Sequence, residues 1–198
     1  MNISLLIFLA VVIVLVIYIV GIYNRLVALK NRVENAFAQI EVQLKRRYDL
    51  IPNLVETVKG YLKHENETLT KVTQARNSAL AALETLSNNP LSAVAMDGLI
   101  KSEGALQSAL GGLNVTMEAY PDLKASENMK HLSEELTSTE NKISFARQAF
   151  NDAVMTYNTY KQSFPQIVVA PTFGHADDAK LLEFEDSKEI AQAPSVKF

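Results

Sequence analysis

Residues 24–61 read NRLVALKNRVENAFAQIEVQLKRRYDLIPNLVETVKGY, and their spacing decides the fold. Leu26, Val33, Ile40, Arg47, Leu54 and Tyr61 fall seven apart, and Phe37, Leu44, Ile51 and Val58 form the companion seam. Alternating steps of four and three let each apolar side chain seat between four residues of a facing helix. The companion seam continues through Glu65, Val72, Ala79 and Leu86. This spacing predicts long helices packed at about 20°, as in four-helix bundles. Pro52 lies inside the run, where it removes the bond to the carbonyl of Tyr48. Register is kept across it by Ile51, Leu54 and Val58, which predicts a kink rather than a break.

Working toward the N-terminus, residues 3–23 carry no charged side chain, and residues 5–20 are apolar or aromatic throughout. As a helix, those 21 residues would span about 31 Å, close to the hydrocarbon thickness of a bilayer. The stretch has no basic leader and no small-x-small cleavage site, so it reads as an uncleaved transmembrane anchor. Tyr18 and Tyr23 lie where an interfacial aromatic belt forms. Arg25, Lys30 and Arg32 flank only its C-terminal end, which predicts a single pass, the N-terminus outside and the rest in the cytoplasm.

Working toward the C-terminus, Met129, Leu136, Ile143, Phe150, Tyr157 and Phe164 are again seven apart. Leu132, Ala146, Ala153 and Tyr160 supply most of a second seam, with Thr139 between. A weaker helix carries Leu99, Leu106 and Leu113 with Met96, Leu110 and Met117. Gly104, Gly111 and Gly112 interrupt it, as points of close packing or as a break. Turns are expected at residues 87–90, capped by Ser87 or Asn89, and at Tyr120-Pro121-Asp122, with Ser126 capping the next helix. Phe164-Pro165 ends that helix. The apolar, proline-bounded residues 167–171 suit an extended segment over the bundle. The fold class is therefore all-α, with an anchor at 1–23, a helical-bundle domain at 24–175 and an acidic, partly irregular tail at 176–198.

Charge and composition exclude several functions. The 198-residue chain has a formal net charge of −3, no cysteine and three histidines. Disulfides, thiolate metal sites and a cysteine nucleophile are ruled out. Residues 24–47 hold six basic and two acidic side chains, whereas residues 48–198 hold 13 basic and 20 acidic. A basic stretch that short does not suit nucleic acid. No phosphate loop, dinucleotide fingerprint or nucleophile elbow is present. His64-Glu65 with Glu67 lacks further ligands, so neither a metal nor a cofactor is expected. No catalytic residue set and no small-molecule substrate is indicated.

Arg46, Arg47 and Asp49, with Glu41 and Glu56 nearby, are the charged residues of interest. Arg47 at a bundle seam is costly unless paired. It would either bridge to a facing carboxylate such as Glu135 or Glu140, fixing register, or serve with Lys45 and Arg46 as a contact for headgroups or a partner. Tyr157 and Asn158 read as packing and interface residues.

These residues resemble the bacterial LemA family. The likeness rests on Tyr23-Asn24-Arg25-Leu26-Val27, on the unbroken block from Leu44 through Arg46-Arg47-Tyr48-Asp49 and Pro52 to Val55, and on Val58-Lys59-Gly60-Tyr61 with His64-Glu65. A second block is Glu118-Ala119-Tyr120-Pro121-Asp122-Leu123-Lys124-Ala125. A third holds Glu140-Asn141-Lys142-Ile143, Ala146-Arg147, Phe150-Asn151, Val154, Tyr157-Asn158 and Phe164-Pro165. The likeness covers residues 22–165. It implies a membrane anchor, an antiparallel bundle of long helices, a cytoplasmic domain on the bacterial inner membrane and no established catalytic activity. The expected partners are the lipid bilayer, further copies of the chain as a homo-oligomer, and an unidentified protein. The expected role is an interaction scaffold that organises the membrane, or an adaptor that holds a soluble partner there.

Overall fold

A computed structural model describes residues 3–61 and 65–183. Among them are the helices α1 (Ile3–Lys59), α2 (Asn66–Ser87), α3 (Ala93–Glu118), α4 (Pro121–Ala125), α5 (Glu127–Gln162) and α6 (Gln166–Val169), then a 3-10 turn at Ala170–Phe173. The described residues contain no strand. α5 lies along α1, α2 along α1 and α3 along α2, and the pairs Phe37–Phe150 and Arg47–Glu140 show that α5 runs antiparallel to α1.

α1 is one helix of 57 residues, about 86 Å long. Its first part, residues 3–21, is exposed at every position. Burial starts at Ile22 and then follows the seam, with Leu26, Val33, Phe37, Ile40, Leu44, Ile51, Leu54 and Val58 all buried. The helix that carries the apolar span is thus also the central helix of the bundle. Each large apolar side chain removed from water on this seam contributes about 1.5–3 kcal/mol.

Several local expectations need correction. The apolar register runs from Val58 to Val72, but α1 ends at Lys59 and the chain turns at Gly60-Tyr61. The seven-residue count carries across that turn by coincidence of spacing, and Tyr61 is exposed rather than a seam residue. The turn after α2 extends to Ser92, whose Oγ accepts from the Ala95 N–H at 3.2 Å, so Ser92 is the cap of α3. Ser126 caps α5 by accepting from the Met129 N–H at 3.3 Å. Residues 167–171 are not extended, because α6 and the 3-10 turn fold them back onto α1. α5 ends at Gln162, which leaves Phe164 outside the seam and 84% exposed. His64 and residues 191–198, where fraying is expected, lie outside the described residues.

The glycines of α3 neither break it nor serve close packing. The helix runs unbroken through Gly104, Gly111 and Gly112, and a Cβ at any of them would meet nothing within 4 Å. Gly112→Ala should therefore stabilise the chain by about 1 kcal/mol, the difference in helix propensity. Urea unfolding followed by circular dichroism checks this, and a loss of stability would mean that the space around Gly112 is filled.

Candidate functional site

Pro52 has no N–H, so the carbonyl of Tyr48, one turn earlier, loses its helical donor. Arg76 on α2 replaces it, with its Nε donating to the Tyr48 carbonyl oxygen at 3.0 Å. The same guanidinium lies 3.8 Å from Asp49 Oδ1. α1 therefore continues through Pro52, because a neighbouring helix satisfies the group that proline strands.

On the opposite side, Arg47 is 7% exposed. It donates to Glu140 Oε1 of α5 at 2.9 Å and to Glu103 Oε2 of α3. The Tyr48 hydroxyl donates to the other oxygen of Glu103. Arg46 lies 3.8 Å from Glu135 on α5. One short segment of α1 thus reaches all three of the other long helices: α2 through Arg76, α3 through Glu103, and α5 through Glu135 and Glu140. Burial alone would lower the basicity of Arg47, but Glu103 and Glu140 more than offset it and the guanidinium stays charged. Burial, and then the charge of Glu103, pushes the Tyr48 hydroxyl well above its ordinary value. A cation this firmly held and a phenol this hard to ionise make poor acids and bases. Their chemistry is to hold helices in register. The lock lies about 36 Å along α1 from Tyr23.

Beside the lock, a groove of about 540 Å³ opens between α3 and α5. Arg47 and Leu54 form its floor, with Glu103 and Gln107 on one wall and Leu136 and Glu140 on the other. No group of three or more His, Cys, Asp or Glu that could hold a metal occurs among the described residues.

A second polar cluster ties residues 176–183 to the far end of α5. The Asn158 amide exchanges two hydrogen bonds with the backbone of Ala179, at 2.8 and 3.0 Å. Asn151 does the same with Leu182, at 3.2 and 2.9 Å. Seven residues of helix rise about 10.5 Å, which three residues of extended chain also span. The strap consequently runs antiparallel to α5, with Ala179 and Leu182 buried. Lys161 is buried beneath it, 2.5 Å from Asp178 and donating to the Ala176 carbonyl at 3.2 Å. His175 Nδ1 lies 2.8 Å from the Tyr157 hydroxyl. Tyr157 is thus a packing residue that also supports the strap.

Burial, then the charges of Lys30 and Lys161, hold His175 below its ordinary value. The unfolded chain takes up this proton first as pH falls through about 6.5, so the folded state loses stability below that point and none above it. Asp178 is shifted down, chiefly by its hydrogen bond from Lys161, so its contribution is lost separately, below about 3.8. In melting curves, His175→Gln should flatten the pH dependence that sets in below about 6.5 and leave the separate limb below about 3.8 intact. An unchanged profile would exclude His175 as its source.

The structure brings Arg46, Arg47, Asp49 and Pro52 into one lock. Tyr120, Pro121 and Asp122 lie apart, at the corner between α3 and α5. There Pro121 and Asp122 form the first turn of α4, so the expected turn is a short helix. Glu140 and Glu135 are both engaged, by Arg47 and Arg46 respectively. Sequence reasoning missed Glu103 and Arg76, although both signals were there. Glu103 is seven residues from Met96 and from Leu110, and Arg76 is seven from Leu69 and from Leu83. A charge on an apolar seam is the mark of a buried pair. Asn151 and the strap had no such mark.

The architecture defines a class: a membrane protein whose helical bundle grows out of the same helix as its apolar N-terminal segment. The LemA family profile matches residues 36–198, and this chain belongs to the LemA family. Protein LemA of Metamycoplasma hominis is 32% identical over 145 residues, which cover 73% of this chain and 62% of that protein. Magnetosome protein MamQ of Magnetospirillum gryphiswaldense is 24% identical over 189 residues, covering 88% of this chain and 68% of that one. Magnetosome protein MamQ 2 of Paramagnetospirillum magneticum is 25% identical with the same coverage. This chain therefore spans less than two thirds of its LemA relative. None of these names is that of an enzyme.

Proposed function

We propose that the chain is a non-enzymatic interaction scaffold on the bacterial inner membrane, built to self-assemble and to organise the bilayer beneath it. The observation that carries this reading is the unbroken α1. One helix serves as membrane segment and as bundle core, so the bundle is held to the bilayer without a flexible joint. Lateral contacts between copies then act at the high effective concentration of two dimensions, where weak affinities suffice. In this reading the anchor crosses once and the basic Arg25, Lys30 and Arg32 place the bundle in the cytoplasm.

The groove between α3 and α5 supports a second reading, an adaptor that seats one soluble protein partner. The mass of the full-length protein in nanodiscs, beside a shortened chain starting at Asn24, separates the two. A large, defined assembly that needs the anchor supports the scaffold. A monomer in both forms overturns it and leaves the adaptor.

A further inference from the structure

Residue pairing along α1 and α5 places one unassigned surface. Phe37 meets Phe150, their rings 6.0 Å apart, and Arg47 meets Glu140. Ten residues forward in α1 are thus ten residues back in α5. The same one-for-one pairing, followed twelve residues the other way from Phe37, sets the last residue of α5, Gln162, level with Arg25, so Phe164 follows two residues later, close to Tyr23 where the apolar span of α1 ends. α6 and the 3-10 turn pack against α1 at this level, and the Phe173 ring lies 5.1 Å from that of Tyr23. Four large apolar side chains gather here in the open: Phe164 at 84%, Ile167 at 51%, Val168 at 66% and Phe173 at 45% exposed. Elsewhere on the helices of the described bundle the exposed large apolar residues Val42, Val94, Val115, Phe145 and Met155 are at least about three helical turns from one another along any one helix. Residues 162–176 contain no Asp, Glu, Lys or Arg.

We propose that residues 164–173 are a second membrane contact, a foot that enters the headgroup layer beside the anchor. Three observations select lipid as the occupant. The patch is continuous, through Tyr23, with the exposed apolar surface of α1. It lacks charge, whereas exposed Arg25 stands within a turn of Tyr23, at headgroup level. Its scale also fits, because apolar faces of interfacial helices sink about 5–10 Å into this layer. An anchor alone leaves a bundle free to tilt and spin about one helix. A foot just past the end of α5 adds a second point of support and sets the angle of the lock and groove above the bilayer.

The inference rests on the first part of α1 lying in the membrane, and the test separates the two. The chain has no cysteine, so single cysteines can be placed at Val168, at Val14 in the span and at Val115 near the far end of α3. Each full-length variant is labelled with the fluorophore NBD in vesicles of phosphatidylcholine and phosphatidylglycerol. Aqueous iodide and nitroxide-labelled lipid then serve as quenchers. At Val168, iodide quenching should be lost relative to Val115 and lipid quenching gained, as at Val14. Iodide access at Val168 equal to that at Val115, with Val14 still quenched by lipid, overturns the foot and keeps the anchor. Val14 out of reach of the lipid quencher overturns both. A Val168 label shielded from iodide yet not reached by nitroxide lipid means that another protein copy covers the patch, and the lipid contact falls. Ile167→Cys, one residue away and also exposed, repeats the reading should Val168→Cys fail to fold.

Discussion

Glu103→Ala is expected to destabilise the full chain by about 3–5 kcal/mol, the cost of leaving a buried charge without its partner. Glu103 is 4% exposed and accepts from both Arg47 and Tyr48. Arg47 Nε is already buried without a hydrogen bond among the described residues, so the guanidinium has no spare solvation to fall back on. Glu140 would remain, but its side chain is half exposed and its pairing with Arg47 is correspondingly screened. Arg47→Met strands Glu103 instead, and so is expected to cost a comparable amount. Were Glu140 the only partner, Arg47→Met would be nearly neutral. The double variant Arg47→Met with Glu103→Leu removes both charges and should recover part of the loss; about 1–3 kcal/mol remains, because the buried Tyr48 hydroxyl loses its acceptor. Urea unfolding in mild detergent measures all three. Additive losses in the double variant would show that Arg47 and Glu103 act independently.

The lock explains what the sequence did and did not make legible. Periodicity carried the α1 seam well, because every second or third turn offers the same chemistry and burial repeats it. It also marked Arg47 as needing a facing countercharge, with Glu135 or Glu140 as candidates and a headgroup or partner contact as the alternative; the structure pairs it with Glu140 and Glu103. Glu103 was passed over because its seam was read through its apolar members alone, Met96, Leu110 and Met117. The role of Arg76 depends on a carbonyl that only Pro52 makes available, so it belongs to a pairing between helices and not to a pattern within one. The strap was hidden for another reason. Asn151 and Asn158 bond to backbone, which carries no residue-type signal at Ala179 and Leu182. Residues 167–171 read as extended because Pro165 and Pro171 argue locally against helix. Proline is well tolerated in a helix's first turn, which is where Pro171 sits in the 3-10 turn.

Phe150→Ala should cost about 3–5 kcal/mol, as for other buried phenylalanines truncated in a packed core. Phe150 is fully buried, and its ring meets Phe37 edge-on, at 64°. It sits between the lock and the membrane-proximal end, one residue from Asn151, which holds the strap. The cavity would therefore open where α5 is pinned on both sides and is least able to collapse inward. That places the expected cost toward the upper part of the range, a fall in melting temperature of roughly 10 °C or more for a domain of this size. Phe145 is the internal control. It lies on the same helix but is 74% exposed, and Phe145→Ala should change stability by less than about 0.5 kcal/mol. Equal effects at the two positions would mean that the α1–α5 seam is not what holds the bundle together. A large loss at Phe150 with the control silent would locate the bundle's strength along α1. That is where the proposed scaffold would need it, because α1 carries both the bundle core and the apolar N-terminal segment.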